Sequence, residues 1–136
     1  MAEFVMKKKV RERGLADLFE IASAATTTEE IGNPVYPPAR RKLAEHGISC
    51  SGKEARLMTW KDYLYYDRII GMDRENWYDM LRIARKDPDG KLSLLMDYTD
   101  RPGDVADPWY TRDFEVTWQD VNDGCDGLIE HLLEVM

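Results

Sequence analysis

The chain has 136 residues, 43% of them hydrophobic and 33% charged, which is an ordinary size and balance for one globular domain. Its net charge of -7 argues against a general role in binding nucleic acid or anionic membranes, because both require an excess of positive charge. No stretch approaches about 18 consecutive apolar residues, so we expect no membrane segment. The two cysteines, Cys50 and Cys125, form no metal-binding spacing, and we expect a reduced, cytoplasmic setting and no metal.

In the first half of the chain, residues 1–13 are predicted to form a helix that ends at Gly14, with a basic run near its C-terminus that suits the helix dipole. Residues 18–24, LFEIASA, are predicted to form a short strand. The polar stretch 26–38, which contains one glycine and three prolines, indicates a loop. Residues 39–47 then form a predicted helix that ends at its glycine.

The second half alternates helices and strands. A capping-box pattern, Thr59 with Asp62, predicts a short helix, and Asp73 is well placed to cap a later one. The predicted elements are strands over 67–73 and 91–98, helices over 74–86 and 114–135, and a loop over 99–110. This alternation predicts an α/β domain with a parallel sheet, whose ligand site lies beyond the carboxyl ends of the strands.

The loop DVADPWY places Asp107 at that edge, followed by Trp109 and Tyr110. A carboxyl group there can act as a general acid, and the two rings can form a wall against a flat aromatic substrate. The bland alternative is a solvated acidic loop, since Asp97, Asp100 and Asp104 precede Asp107. A calcium loop is disfavoured because the D-x-[DN]-x-[DN]-G pattern is missing.

Three groups of motifs together resemble the low-molecular-weight protein tyrosine phosphatases. DVADPWY followed by DFEVTWQDV is similar to the general-acid loop and last helix of that family. IASA with GNPVYPPARRKLAEHGI resembles its second strand, specificity loop and following helix. KEARLMTWKDYLYYDRIIGMDREN resembles its K-x-A-R segment and central M-D-x-x-N strand end. The resemblance covers essentially the whole chain in the right order.

The resemblance implies one three-layer α/β/α domain over residues 1–136, with a small parallel sheet. It implies hydrolysis of phosphotyrosine proteins or small aryl phosphates through a cysteinyl phosphate, with no cofactor. Asp107 would protonate the departing oxygen and then serve as the base for water, while Trp109 and Tyr110 flank the phenyl ring. Ser23 and Asp73 match positions that support the active-site loop, and both are equally suited to capping strand ends.

The resemblance also implies that the phosphate-binding loop is absent. In the family a strand and the loop C-x-x-x-x-x-R-S precede S-P-M-A-E-F, and this chain opens with MAEF. We therefore expect no nucleophile in these 136 residues, no turnover, and a sheet that lacks its first, interior strand. A rearranged sheet, or a homo-oligomer formed through the exposed strand edge, would fill the resulting gap.

Three explanations for this start stay open: a gene start assigned too late in an ordinary phosphatase, an inactive module that binds phosphoproteins or another partner, and arsenate-reductase-like chemistry. CSGKEAR does contain C-x-x-x-x-x-R, with Cys50 and Arg56. We interpret it as a chance match, because no buried strand precedes Cys50 and Leu57 stands where a serine or threonine should follow the arginine.

Overall fold

A computed structural model describes residues 1–27, 36–50, 52–53, 55–107 and 113–136. In chain order the described elements are α1 (Ala2–Glu12), a 3-10 turn (Ala16–Leu18), α2 (Pro37–Glu45), α3 (Trp60–Tyr65), β1 (Ile69–Gly71), α4 (Arg74–Ile83), β2 (Leu92–Leu94), a second 3-10 turn (Leu95–Tyr98) and α5 (Phe114–Val135). None of these helices is long and apolar enough to cross a membrane.

Local signals set the helix boundaries, and each of the five predicted helices is present. The helices α1 and α2 are followed by Gly14 and Gly47 at φ +70° and +72°, the left-handed conformation that glycine adopts without a steric penalty. The capping box before α3 is confirmed, since the Thr59 N–H donates to the Asp62 carboxylate at 2.9 Å. Asp73 caps α4 by accepting the Asn76 N–H at 2.8 Å.

The predicted parallel sheet is confirmed, although its strands are short. β1 pairs with β2 in parallel, with Ile69 opposite Leu92 and Gly71 opposite Leu94. The strand predicted over 91–98 is correct only in its first half. The chain turns at residue 95 because the Asp97 carboxylate accepts the Leu94 N–H at 2.9 Å and closes the 3-10 turn.

The strand predicted over 18–24 is wrong. Residues 16–18 form the 3-10 turn, and the following residues make only one parallel bridge, between Ala25 and Leu57. In the described part of the chain, no backbone hydrogen bond joins residues 19–25 to β1. A segment becomes a strand only when a neighbouring strand completes its hydrogen bonds, and a favourable sequence does not supply that neighbour.

Two hydrophobic cores lie on opposite faces of the sheet. Ile69 packs against the core formed by α3, α4 and β2, where Tyr63 and Met80 are buried. The next residue, Ile70, packs against the other core, formed mainly by α1, α2 and α5. Because successive strand residues point to opposite faces, this alternation places helices on both sides of the sheet, as predicted for a three-layer α/β/α fold.

Close contacts fix α5 against the second 3-10 turn. A Cβ atom on Gly127 would lie 1.9 Å from the carbonyl oxygen of Tyr98, and one on Gly124 would lie 2.5 Å from Cγ of Leu95. Only glycine permits this approach between the helix and the turn. The turn leads into residues 99–107, so this packing positions the start of the loop that contains Asp107.

Candidate functional site

The loop before Asp107 is tied to the carboxyl end of β1. The Val105 N–H donates to the Met72 carbonyl at 2.8 Å. The Arg74 N–H, at the start of α4, donates to the Asp104 carboxylate at 3.0 Å. These bonds involve both neighbours of Asp73, so the structure brings the Asp73 turn and the Asp107 loop together. This edge of a parallel sheet is where such folds bind ligands.

The turn at Asp73 is held by reciprocal hydrogen bonds. Asn76 donates its N–H to the Asp73 carboxylate at 2.8 Å, and its side-chain oxygen accepts the Met72 N–H at 2.9 Å. The prediction that Asp73 caps α4 is confirmed. Support of an active-site loop stays a prediction.

Both backbone groups of Ala106, the residue before Asp107, are bound to α5. The Ala106 N–H donates to Oδ2 of Asp120 at 2.9 Å, and its carbonyl accepts the Thr117 hydroxyl at 2.7 Å. Arg101 donates to the other oxygen of Asp120 through Nε at 3.2 Å and Nη2 at 3.0 Å. Asp107 is an exposed residue. The loop backbone is therefore anchored directly before the candidate acid.

Ser23 lies in a second cluster, at the first turn of α1. Its hydroxyl donates to Oε1 of Glu3 at 2.6 Å. The same carboxylate accepts Lys7 at 2.6 Å and Lys53 at 2.9 Å. Burial alone would raise the pKa of Glu3, but the hydrogen bonds from Lys7, Ser23 and Lys53 outweigh it and lower the pKa to about 2. Ser23 thus joins residues 19–25 to α1, and it is bonded neither to Asp73 nor to the described part of the Asp107 loop.

Trp109 and Tyr110, predicted to flank the substrate ring, lie outside the described residues. Cys50 is only 4% exposed and belongs to the larger core. The Arg56 guanidinium donates to Asp62 at 3.0 Å. A buried thiol and an arginine engaged with a carboxylate are not what a phosphate-binding nucleophile requires.

The described surface includes two shallow depressions near the elements discussed above. The larger, of about 460 Å³, lies between α2 and the residues after it, and none of the predicted site residues lines it. The smaller, of about 320 Å³, lies beside the start of α4 and includes Arg74, Trp77 and Asp97. The second is closer to the predicted site, because the Arg74 N–H also binds the loop before Asp107.

One group in the described part of the chain has the composition of a metal site. Ligand atoms of Glu45, His46 and Glu115 lie within 4.8 Å of one another. The Lys42 ammonium group lies 2.9 Å from each of the two carboxylates, and its hydrogen bonds to Glu45 and then Glu115 raise its pKa. The His46 ring stacks on Trp118 at 3.7 Å. The Lys42 ammonium group already pairs with both carboxylates, so we assign this cluster a structural role.

Sequence reasoning missed the residues that anchor the loop: Arg101, Thr117 and Asp120. Thr117 and Asp120 are three residues apart, which places them on one face of a helix. Charged residues at that spacing are common on solvated faces. What sets these two residues apart is their shared partner, the backbone of Ala106, which lies 11 and 14 residues earlier in the chain. The spacing does not reveal this partner.

Comparison with known proteins places this geometry in context. The sequence model of the low molecular weight phosphotyrosine protein phosphatases matches residues 1–135. The chain is 30% identical over 135 residues to the low molecular weight protein-tyrosine-phosphatase PtpA of Staphylococcus epidermidis, covering 98% of this chain and 85% of that protein. It is 31% identical over 135 residues to PtpA of Staphylococcus saprophyticus, with the same coverage.

Solved structures agree with the sequence matches. The crystal structure of YfkJ from Bacillus subtilis superposes with a TM-score of 0.91 at 30% identity, over 98% of this chain and 85% of that one. The low molecular weight protein tyrosine phosphatase SP-PTP from Streptococcus pyogenes superposes with a TM-score of 0.84 at 36% identity, over 96% of this chain and 82% of that one. The resemblance inferred from the motifs is thereby confirmed, and the chain belongs to the low molecular weight protein tyrosine phosphatase family.

Proposed function

We propose that the chain carries the general acid of a cytoplasmic protein tyrosine phosphatase that hydrolyses phosphotyrosine through a cysteinyl phosphate. Asp107 is the general acid in the first step and the general base in the second. The observation that supports the proposal is the anchoring of residues 104–106, directly before Asp107, to the end of β1, to α4 and to α5.

We further propose that these 136 residues alone do not turn over substrate. The reaction needs a thiolate nucleophile and an arginine that grips two phosphate oxygens. Cys50 is buried among apolar side chains, where the anionic form is disfavoured, and Arg56 is engaged with Asp62. Support for an inactive chain therefore comes from the surroundings of the one C-x-x-x-x-x-R pattern.

Assays with p-nitrophenyl phosphate and with a phosphotyrosine peptide test both statements. The chain as given is expected to give no product above background. The same chain preceded by a strand and a C-x-x-x-x-x-R-S-P loop of the family type is expected to give turnover that Asp107→Asn lowers about 100-fold or more. Turnover by the chain as given that is lost in Cys50→Ser would overturn the proposal of inactivity. Turnover in the extended chain that is unchanged by Asp107→Asn would overturn the assignment of the acid.

An inactive module that binds phosphoproteins is the second candidate. Isothermal titration calorimetry of the 136-residue chain distinguishes the candidates. The chain is titrated once with a phosphotyrosine peptide and once with the unphosphorylated peptide. Selective binding of the phosphopeptide without hydrolysis favours the binding module.

We also propose self-association through the edge of β1 that has no strand partner among the described residues. β1 pairs with β2 along one edge. Residues 19–25 have the sequence pattern of a strand. In the described part of the chain, they make no backbone hydrogen bond to β1. A free strand edge favours pairing with another chain. Sedimentation velocity over a range of concentrations is expected to show a species larger than 15.8 kDa. A monomer with a cooperative melt at all concentrations would contradict the proposal.

A further inference from the structure

Two side chains bind the backbone of Ala106, the residue before Asp107, and a third supports one of them. Thr117 and Asp120, on one face of α5, bind the carbonyl and the N–H of Ala106 at 2.7 and 2.9 Å. Thr117 is 8% exposed and the Asp120 side chain is 13% exposed, so water competes little for either contact. Arg101 closes the arrangement by donating two hydrogen bonds to the same carboxylate. We call these three residues the Ala106 clamp.

The Asp120 carboxylate accepts from two partners at once. Oδ2 takes the Ala106 N–H, and Oδ1 takes the Arg101 guanidinium, which also donates to Asp123 at 2.8 Å. Hydrogen bonds to Asp123 and then Asp120 raise the pKa of Arg101, so the guanidinium remains charged. One side chain of α5 therefore binds the loop near its start, through Arg101, and again at Ala106.

General acid catalysis depends on this kind of fixation. As the P–O bond breaks and the S–P bond forms, the Asp107 carboxyl group gives its proton to the leaving oxygen. A displacement of about 1 Å can lower such a rate about 100-fold. Asp107 directly follows Ala106, so fixing the N–H and the carbonyl of Ala106 limits where the Asp107 carboxyl group can lie. Rigid supporting contacts on a helix are an effective way to achieve this.

We propose that Thr117, Asp120 and Arg101 are positioning residues for the proton donor, Asp107. This inference rests on the proposed function, because it deepens the role of the acid. In the isolated chain, the Ala106 clamp protects the Ala106 amide from hydrogen exchange and keeps the Asp107 backbone ordered.

The first test uses the chain as it exists. In Asp120→Ala, amide hydrogen exchange at Ala106 is expected to speed up about ten-fold or more, and the 15N order parameter of Asp107 to fall. Thr117→Val, which is nearly isosteric, is expected to lower the order parameter, and Thr117→Ser to preserve it. Asp123→Ala is the matched control, because Asp123 contacts Arg101 but not Ala106. An unprotected Ala106 amide in the unaltered chain, or equal behaviour of Asp120→Ala and Asp123→Ala, would overturn the proposal.

The second test uses the extended, active chain and compares two leaving groups. A poor leaving group such as phenol needs the proton donor, whereas 2,4-dinitrophenol leaves readily without it. Asp120→Ala and Thr117→Val are expected to lower kcat/KM for phenyl phosphate about 10- to 100-fold. The value for 2,4-dinitrophenyl phosphate is expected to change less than about two-fold, and inhibition by inorganic phosphate to stay unchanged. Thr117→Ser is expected to restore the phenyl phosphate rate.

The outcomes separate the clamp from the function it serves. Equal losses with both leaving groups would show a general structural defect and refute positioning. An extended chain that hydrolyses neither ester would refute the proposed function, while the exchange and relaxation measurements on the isolated chain would still decide whether the clamp fixes Asp107. Thermal unfolding of each variant shows whether the fold is retained.

Discussion

Replacement of Glu3 by glutamine tests the buried ion cluster at the start of α1. The Glu3 side chain is 4% exposed and accepts from Lys7 at 2.6 Å, Lys53 at 2.9 Å and Ser23 at 2.6 Å. Glutamine keeps the shape but removes the charge, which leaves the Lys53 ammonium, itself 23% exposed, without its anion. Removing one partner of a buried pair costs about 3–5 kcal/mol. Because Lys7 is half-exposed, we expect a loss at the lower end of that range at pH 7.

The pH dependence of the unfolding free energy gives a second value for the stability that the Glu3 charge contributes. The pKa of Glu3 falls from its usual 4.5 to about 2 in the folded chain. The folded state therefore favours the ionised form, and the resulting stability is present above pH 4.5 and lost as the pH falls towards 2. At about 1.4 kcal/mol per pKa unit, this amounts to about 3 kcal/mol. Glu3→Gln lacks this titration, so its stability is expected to fall less steeply between pH 4.5 and 2.

Urea unfolding followed by far-UV circular dichroism, at pH 7 and at pH 3, measures both quantities. Glu12→Gln is the matched control, because Glu12 is an exposed residue of the same helix. It is expected to change the free energy of unfolding by less than about 0.5 kcal/mol. The reasoning is refuted if Glu3→Gln costs no more than Glu12→Gln at pH 7, or if its pH dependence matches that of the unaltered chain.

Three further substitutions test the packing that supports the site. Gly127→Ala is expected to destabilise the chain by about 2 kcal/mol and to lower Tm by several degrees, because the new Cβ would lie 1.9 Å from the Tyr98 carbonyl oxygen. An unchanged Tm would contradict this close approach. Asp87→Ala is expected to lower the free energy of unfolding in urea by about 2–3 kcal/mol, since this carboxylate accepts the buried Tyr63 hydroxyl at 2.7 Å and two backbone N–H groups. If the contact with Tyr63 is shared, the loss in the double variant with Tyr63→Phe is smaller than the sum of the two single losses. Asp73→Ala is expected to cost about 1 kcal/mol through loss of the α4 cap, whereas Asp73→Ser should retain most of the stability.

The helices were predictable because their signals are local. The capping box at Thr59, the cap at Asp73 and the glycine after α1 each act within a few residues, so the sequence indicates them directly. The family was likewise predictable from short motifs in order. The position of Asp107 on a loop at the carboxyl edge followed from the strand pattern alone.

The strand over 18–24 and the second half of 91–98 were not predictable in this way. Both segments have suitable apolar residues, but a strand also requires a partner at the right distance, and that partner is set by the whole fold. For residues 19–25 the described structure provides a single bridge, at Ala25. For residues 95–98 the Asp97 side chain closes a turn instead.

The sequence by itself indicated which segments form helices, which family the chain belongs to, and which carboxyl group is the candidate acid. Only the tertiary structure decided that Glu3 gathers Lys53 and Ser23, and that Asp120 holds the backbone before Asp107. The physical reason is that a carboxylate on a helix has the same local preferences whether it faces water or a distant peptide group. Its partner is chosen by the packing of elements that are far apart in the chain.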